Sequence, residues 1–547
     1  MMDNNNNKTY RVRFMPMDVE MEAQAGENLL DLQIRAGLRP DAPCGGQGSC
    51  GKCQVDIITH PEQRETVLAC QYEVASDLTL WVAEKEKFYI LESGIKKEIV
   101  LDPAVKTGLG AAFDIGTTSV VCYLLDLATG RQLSRASMLN PQSQFGADVI
   151  SRCEYAIANG PEPLSKVIRD ALNELIVEAC KEATETAEGT ASADDNPDGR
   201  HPAQNNGGFT PDQVKLVTVV GNTCMHHLFM NIDPKSLTVV PYDAVVKDEI
   251  VMKAADADLK VAPDAVLQVL PNIAGFVGAD TVGCILASSF DQLEDLSLMI
   301  DIGTNGEMVM GNKDRMVACS TAAGPAFEGA KIECGMRGTT GAIDHVKYEN
   351  GCFQCHIIGQ ENAAVDQSGD NEPLKALGIC GSGLMDVVAA ALDAEVIDEM
   401  GKLDQNHPCV YIREETGQPA IRLIDDVYLS QKDIREVQLA KGAVAAGIEL
   451  LAAELGVTLN DVKKVMIAGA FGNYMDPHSA CRIGMIPMEL EDRIEMIGNA
   501  AGEGSITATL NQGEFRHAQE IRERAKFLEL ASSPDFQDTF VDNLLFE

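Results

Sequence analysis

Basic residues are scarce in this chain of 547 residues, which has 44 lysines and arginines against 83 aspartates and glutamates. The formal net charge of −39 argues against nucleic acid or an anionic membrane surface as the main partner, because phosphate groups bind basic surfaces. An acidic protein of this kind could still attract a basic patch on a partner protein.

The sequence also lacks an uninterrupted apolar run of about 18 residues, the length that a membrane-spanning helix needs. Its beginning, MMDNNNNKTYRVRF, contains no apolar segment of the kind found in secretion signals. We therefore expect a cytoplasmic protein, in which the 16 cysteines are thiols or metal ligands rather than disulfides. The length predicts about two to four domains.

The segment CGGQGSCGKC, residues 44–53, fits three kinds of site. Its GxGxxG pattern suggests a dinucleotide site, but a helical pattern precedes it and a β-like run follows it, which is the wrong order. Its GxxxxGK pattern suggests a phosphate-binding P-loop, but Cys53 stands where a magnesium-binding hydroxyl is needed and no helix follows. The third possibility is a set of thiolates on a glycine-rich turn.

The thiolate interpretation gains a fourth cysteine downstream, in VLACQ. Four cysteines are what a [2Fe–2S] cluster needs, and the nearest reference spacing is C-x4-C-x2-C followed by a distant cysteine. The glycines let the backbone wrap closely and direct amide N–H groups at the sulfurs. Zinc, which prefers two CxxC or CxxH pairs, and unliganded thiols are the alternatives. The predicted cluster ligands are Cys44, Cys50, Cys53 and Cys70.

Residues 8–86 resemble a ferredoxin domain of the β-grasp type, and the first cysteine gap, one residue longer than the reference, resembles the adrenodoxin-like subgroup. The interval between the last two cysteines is short for that family. Residues 87–109 are mixed and charged, which predicts a linker, and the polar residues 184–212 predict a disordered insertion.

One short motif occurs twice in the rest of the chain. AAFDIGTTSVVCYLLDLATG begins at Ala111, and LMIDIGTNGEMVMG begins at Leu298. Each copy is an apolar strand, then Asp-Ile-Gly-Thr, then a second apolar strand, which indicates a duplication at the scale of a domain. Helical patterns between the strand-like runs indicate an α/β fold. These predicted helices are 146–158, 164–185, 380–396 and 432–455.

The repeated turn predicts a polyphosphate site. An aspartate at a strand end offers a carboxylate to magnesium, and a Gly-Thr turn offers N–H and hydroxyl donors to phosphate. Two such turns could clamp a polyphosphate between them, and two ordinary hairpins are the alternative. The predicted catalytic residues are Asp114 and Asp301. The predicted nucleotide-binding residues are Gly116, Thr117, Thr118, Gly303, Thr304 and Asn305, with Gly381 and Gly383 from GICGSGLMDVVAAAL and Gly469 and Gly472 from VMIAGAFGNYMD.

Residues 110–485 resemble the acetate and sugar kinase/Hsp70/actin superfamily, with DIGTTS and DIGTNGE as its phosphate loops and IAGAFG as its adenosine loop. The adenosine loop usually has adjacent glycines, whereas Ala470 and Phe471 separate them here. The predicted fold class is therefore an α+β β-grasp ferredoxin domain followed, over residues 110–547, by a duplicated α/β actin-like, ribonuclease H-like ATPase domain. The resemblance implies that ATP is bound and hydrolysed between two lobes that open and close.

The two-domain combination closely resembles the reductive activators of corrinoid proteins, as do ACSTAAGPAFEGAKIECGMRG from Ala318 and VVGNTCMHHLF from Val219. This resemblance implies a [2Fe–2S] cluster, ATP and Mg²⁺ as cofactors, and delivery of one electron to an inactive Co(II) corrinoid protein, which regenerates Co(I) for methyl transfer. It also implies a low-potential electron donor and a homodimer formed through the ATPase domain. Ser320 and Thr321 are predicted to lie in a surface loop that meets the corrinoid protein.

Other functions stay open at this stage. A redox sensor would report the cluster's oxidation state through nucleotide binding, and a small-molecule kinase with an appended ferredoxin domain would transfer phosphate to a metabolite. An activator of a radical dehydratase is less favoured, because those relatives have no [2Fe–2S] domain. The CFQCH segment at residues 352–356 matches the haem signature CxxCH, but its alternating pattern predicts a strand. His226 and His227 are expected to pack or cap rather than to bind a ligand.

Overall fold

A computed structural model describes residues 8–38, 40, 42, 46, 48, 53–60, 63–82, 99–102, 107–190, 208–329, 331–360, 374–469, 475–530 and 533–546. Most of the predicted linker, 87–109, lies outside these ranges, as do residues 191–207 of the predicted insertion. No helix within the described ranges has the length and hydropathy needed to cross a membrane.

The first domain is a five-stranded sheet with one helix. Its elements are β1 (Thr9–Met15), β2 (Val19–Gln24), α1 (Leu29–Arg35), β3 (Gln54–His60), β4 (Gln63–Leu68) and β5 (Leu78–Trp81). The strand order is β2-β1-β5-β3-β4, and only the central pair β1/β5 is parallel among the pairs described. The side-chain oxygen of Asn28 caps α1, whose leucines are buried against the sheet. This is the β-grasp arrangement that the sequence predicts.

A second sheet forms the core of what we call lobe 1. Its elements are β6 (Leu109–Ile115), β7 (Ser119–Asp126), β8 (Gln132–Leu139), α2 (Val149–Asn159), α3 (Glu162–Thr190), β9 (Val214–Gly221), α4 (Thr223–Phe229), β10 (Ile250–Lys253) and β11 (Val266–Val269). The strand order is β10-β11-β9-β6-β7-β8, with β9 parallel to both β6 and β11. Helix α3 extends into the segment for which the sequence predicts an insertion.

A third sheet forms the core of lobe 2, and two three-stranded sheets accompany it. The elements are α5 (Ala279–Ser288), β12 (Ser297–Ile302), β13 (Gly306–Gly311), β14 (Met316–Thr321), β15 (Ala342–Glu349), β16 (Cys352–Ile357), β17 (Gly378–Ile379), α6 (Gly381–Asp393), β18 (Val410–Ile412), β19 (Pro419–Arg422), β20 (Tyr428–Ser430), α7 (Gln431–Leu455), β21 (Lys464–Ala468), α8 (Pro477–Arg482), β22 (Ile494–Gly498), α9 (Ala500–Leu510), α10 (Gln512–Arg524), β23 (Ala525–Phe527) and α11 (Pro534–Asp542). The large sheet has the order β22-β21-β12-β13-β14-β23.

The duplication predicted from the repeated motif is confirmed by the sheets. Lobe 1 contains the series β8-β7-β6-β9-β11, and lobe 2 contains the equivalent series β14-β13-β12-β21-β22. Asp114 is in register with Val220 on the parallel strand β9, and Asp301 is in register with Ala468 on the parallel strand β21. Both Asp-Ile-Gly-Thr turns therefore lie at the carboxyl end of a parallel strand pair, the usual position of ligand sites in such sheets.

The remaining local predictions have clear outcomes. The CFQCH segment forms strand β16, as its alternation predicts. His226 and His227 are buried in α4, and His227 Nε2 accepts a hydrogen bond of 2.9 Å from the backbone N–H of Val245.

Ser320 and Thr321 lie in strand β14 and not in a surface loop, so the prediction of a surface loop is wrong. Both residues pair with strand β13, Ser320 with Glu307 and Thr321 with Gly306, and Thr321 is only 2% exposed.

Ion pairs connect helix α10 to the short turn that follows α5. The carboxylate of Asp291, 1% exposed, accepts from His517 Nε2 at 3.0 Å and from Arg524 Nη1 at 2.9 Å. Burial opposes ionisation of Asp291, but these bonds outweigh it and lower its pKa. The hydrogen bond to Asp291 is also the main reason that the pKa of His517 is raised to about 9.

We expect His517→Gln to lose more stability at pH 6 than at pH 9. The pKa of His517 rises from 6.5 to about 9 on folding, so its contribution is complete below 6.5 and disappears as the pH rises through about 9. Because the ring is partly solvent-exposed, we expect a loss of about 1–2 kcal/mol at pH 6. Urea unfolding at both pH values measures it. The exposed pair His478–Glu491 offers a control, His478→Gln, and equal losses for His517→Gln at both pH values would contradict the prediction.

Candidate functional site

A cavity of about 310 Å³ lies between the two lobes, and both repeated turns open into it. Gly472 lies outside the described residues. Gly383 does not line the cavity. A Cβ on it would be 2.4 Å from the carbonyl oxygen of Ile343, so this glycine permits close packing inside lobe 2. The predicted residues that do line the cavity are Asp114, Gly116, Thr117, Thr118, Asp301, Gly303, Thr304, Asn305, Gly381 and Gly469.

The first phosphate loop, residues 116–118, is held by its carbonyl groups. Asn140 donates from Nδ2 to Gly116 O at 2.8 Å and from its backbone N–H to Thr118 O at 2.9 Å. Arg152 donates from Nη2 to Thr117 O at 2.7 Å. All three carbonyl oxygens therefore accept hydrogen bonds from Asn140 or Arg152, which do not line the cavity. The negative ends of these peptide dipoles are thus directed away from the cavity, as an anion-binding loop requires.

Asn222 links this loop to the next element of lobe 1. Its Nδ2 donates to the Thr117 hydroxyl at 2.9 Å, while its Oδ1 accepts from the Met225 N–H and caps α4. Sequence reasoning missed Asn222 as a site residue. The available signal was its position as a helix cap immediately after a buried strand, in VVGNTCM.

A single carboxylate joins the two phosphate loops. Glu328 accepts from the Thr118 hydroxyl at 2.8 Å through Oε2 and from the Thr304 hydroxyl at 2.7 Å through Oε1. It ends a short 3-10 turn, Pro325–Glu328, that belongs to lobe 2. Glu328 was also missed, since no local pattern distinguishes this glutamate from a surface acid.

Further carboxylates lie deep in the cleft. Burial raises the pKa of Asp114 to about 6, and a hydrogen bond from Asn499 Nδ2 at 3.0 Å opposes part of this rise. Burial also raises the pKa of Asp301 to about 6 and, together with the charge of Asp301, that of Asp280 to about 7. Burial raises the pKa of Glu307 well above its usual range. The cleft therefore disfavours its own negative charge, and a cation would relieve it.

Magnesium fits this set of acids, because it prefers oxygen ligands and retains several water molecules. Among the residues that the structure describes, no three His, Cys, Asp or Glu side chains are placed to hold one metal ion directly. We therefore expect Asp114 and Asp301 to contact Mg²⁺ largely through water. Sequence reasoning missed two of these acids. Asp280 lies in helix α5, outside the repeated motif, and Glu307 lies on the second strand of the motif.

Gly469 ends β21 directly against the second motif. Its φ is +97°, and a Cβ there would be 2.9 Å from Asp301 Oδ1 and 2.7 Å from Ile302 O. Only glycine combines this backbone conformation with so close an approach. The following residues 470–474, which include most of the predicted adenosine loop, are outside the described part of the chain.

The described part of the cysteine loop is compatible with a [2Fe–2S] cluster. Cys53 is 3% exposed, and its sulfur accepts from the backbone N–H of Cys70 at 3.5 Å. Gly46 lies against the same place, since a Cβ on it would be 3.8 Å from the Cys70 Cβ. Cys44 and Cys50 are outside the described residues. A thiolate that accepts backbone N–H bonds beside a glycine turn is the environment expected for a cluster ligand.

We expect Gly469→Ala to weaken Mg-ATP binding by about tenfold or more, because the new Cβ would displace Asp301. Gly456→Ala is a matched control: its φ is +65°, but nothing lies within 4 Å of a Cβ there. Both changes should cost about 1–2 kcal/mol of stability from the left-handed backbone. Gly469→Ala should cost more than Gly456→Ala, because its Cβ would also lie 2.7 Å from Ile302 O. Isothermal titration with Mg-ATP measures the affinity, and an equal loss of affinity in both variants would contradict a specific role for Gly469.

Three family models match the chain, in the order of its domains. The model for a 2Fe-2S iron-sulfur cluster binding domain matches residues 12–75. The model for the RACo middle region matches residues 109–191 and 201–293. The model for the C-terminal domain of RACo, the ASKHA domain, matches residues 295–547.

Similar proteins match over three quarters or more of their length. The corrinoid activation enzyme RamQ of Eubacterium limosum is 32% identical, over 98% of this chain and 99% of that protein. The [Co(II) methylated amine-specific corrinoid protein] reductase of Methanosarcina barkeri is 25% identical, over 80% of this chain and 77% of that protein. The solved structure of a reductive activator for corrinoid, iron-sulfur protein is 28% identical with a TM-score of 0.70, and the match covers 98% of both chains.

Proposed function

The chain belongs to the family of reductive activators of corrinoid proteins, and we propose from this premise that it is an ATP-dependent enzyme that reduces an inactive Co(II) corrinoid protein to Co(I) for methyl transfer. When bound, the [2Fe–2S] cluster supplies the single electron for this reduction. The observation that carries the proposal is the joining, in one chain, of a cysteine-loop ferredoxin domain and a two-lobed acidic cleft, in the same order as in a corrinoid activation enzyme.

The cleft supplies the groups that ATP hydrolysis needs. The hydroxyls of Thr117, Thr118 and Thr304 face a common cavity, where they can donate to phosphate oxygens. Asp114 and Asp301, at the ends of the two central strands, would hold Mg²⁺, which would neutralise charge on the phosphates. Asp280, whose pKa is raised to about 7, is suited to accept a proton from the attacking water.

Glu328 supports a connection between nucleotide state and lobe arrangement. The hydroxyls of Thr118 and Thr304 that would bind phosphate already donate to the two oxygens of its carboxylate. A phosphate that takes these donors would have to displace Glu328, since each hydroxyl has one proton to donate. The turn Pro325–Glu328 would then move with the occupancy of the cleft, so the arrangement of the two lobes would depend on the bound nucleotide.

The partners follow partly from charge. The net charge of −39 favours a basic surface on the corrinoid protein or on the electron donor. We propose a low-potential electron donor, a cytoplasmic location and a homodimer formed through the ATPase domain. These three statements remain predictions, and the corrinoid partner rests on the activities named for the similar proteins.

We expect ATP hydrolysis by the wild type to fall as the pH is lowered, because protonated Asp280 cannot accept a proton from water. The midpoint should lie below 7, since bound Mg²⁺ lowers a pKa that burial raises in the metal-free cleft. Asp280→Asn should be slow and should lose this pH dependence. Steady-state hydrolysis at saturating Mg-ATP between pH 5.5 and 8.5 tests the idea, with the exposed Asp492→Asn as control. The same pH profile in wild type and Asp280→Asn would assign the dependence to another cleft acid.

The whole activity can be tested anaerobically. The chemically reduced protein is mixed with a Co(II) corrinoid protein, with and without Mg-ATP, and the Co(I) absorption band is followed. We expect Co(I) only with ATP, and almost none with Cys50→Ala or Asp301→Ala. Cys352→Ala, which changes an exposed cysteine on β16, is the control that should stay active.

Two results would contradict this proposal. Hydrolysis of ATP without Co(I), across several corrinoid proteins, would favour a kinase with a ferredoxin domain. Nucleotide binding that follows the cluster's oxidation state, with little turnover, would favour a sensor.

A further inference from the structure

One arginine is fully buried behind the first phosphate loop. Arg152, in α2, is 0% exposed. Its Nε donates to Gly146 O at 3.0 Å, its Nη2 to Thr117 O at 2.7 Å, and its Nη1 contacts Met225 Sδ at 3.3 Å. Within the described part of the chain, its partners are two carbonyls and a thioether, and no carboxylate forms an ion pair with it.

Such an arrangement is costly for the protein alone. A buried cation loses its hydration, and without an ion-pair partner little of that loss is recovered. Burial lowers the pKa of Arg152 to about 10, so the guanidinium still carries its positive charge at neutral pH. Asp148 and Glu328 act on this charge only from beyond ion-pair distance. A feature this unfavourable calls for an anion that binds nearby.

The position of the charge identifies where that anion would be. Arg152 is bonded to the peptide of Thr117, and the other side of Thr117 lines the cavity. The cavity wall carries several carboxylates, whereas Arg337 is the only basic residue among the described residues that line it. Polyphosphate entering an acidic cleft therefore gains from a cation fixed one peptide behind the loop.

We propose that Arg152 is a positioning residue for the phosphates of the nucleotide: it fixes the Thr117 peptide with its donors toward the cleft, and its buried charge attracts phosphate through the loop. This inference rests on the proposed function, in which the cleft binds Mg-ATP. It adds a residue from α2, outside both repeated motifs, to the groups that select a polyphosphate over a neutral nucleoside.

The test separates charge from packing. Arg152→Gln keeps polar groups and removes the charge, Arg152→Met replaces the side chain with an apolar one, and Arg152→Lys keeps the charge. The affinities of Mg-ATP, Mg-ADP and adenosine are measured by isothermal titration for the full-length protein. Arg169→Gln is the matched control, because Arg169 also lies in lobe 1 and donates to a backbone carbonyl, that of Phe229 at 3.0 Å.

We expect Arg152→Gln and Arg152→Met to weaken Mg-ATP binding about tenfold or more, which corresponds to 1.4 kcal/mol. Mg-ADP should lose less, adenosine should change less than twofold, and Arg152→Lys should bind Mg-ATP within about threefold of the wild type. Arg169→Gln should bind all three ligands as the wild type does.

The contrary results are distinct. If all three Arg152 variants lose affinity for Mg-ATP and adenosine equally, the residue only supports packing and the inference is wrong. The same holds if Arg152→Lys binds Mg-ATP no more tightly than Arg152→Gln. If Gln does not fold, the Met and Lys variants give the same comparison. If the wild type binds Mg-ATP and every variant binds it equally well, the inference about Arg152 fails alone. If the wild type itself does not bind Mg-ATP, the proposed function fails with it.

Discussion

Asp114, Asp280, Asp301 and Glu307 are buried in one cleft, and the rest of the site depends on how the cost of their buried charge is relieved. In the protein alone, each carboxylate resists ionisation, and its pKa is raised. Mg²⁺ would supply positive charge at the same place, and the magnesium carries the polyphosphate with it. The buried acids thus make the cleft selective for a metal–nucleotide complex, since phosphate without a metal ion would add more negative charge to it.

The two phosphate loops are held in different ways, although they arise from the same motif. The loop of lobe 1 is bound from behind by Asn140 and Arg152, which belong to its own lobe. The loop of lobe 2 is bound from within the cleft, where the Thr304 hydroxyl donates to Glu328. Because Glu328 also binds Thr118, one carboxylate spans both lobes, and the binding of phosphate competes with that link.

The sequence predicted the site where chemistry and local pattern coincide. Asp114 and Asp301 each follow an apolar strand and precede a Gly-Thr turn, so their position could be inferred before the sheets were known. Glu328 and Asn499 come from segments that carry no repeated pattern, and only the fold brings them to the cleft. The prediction for Ser320 and Thr321 was wrong because pairing with β13 extends strand β14 through both residues, up to the glycine–proline turn. The β-grasp order and the duplication of the lobes were predicted correctly.

Helix α9 contacts both the cleft and a short segment of the chain between the two domains. Its capping residue, Asn499, donates to Asp114 at 3.0 Å. At its other end, roughly 16 Å away for a helix of this length, Leu510 O accepts from Asp102 N–H at 3.1 Å, and Asn511 Nδ2 donates to Val100 O at 2.7 Å. Residues 99–102 are the part of the chain between the two domains that packs here. One helix therefore contacts both Asp114 in the cleft and residues 99–102, which precede the first strand of lobe 1.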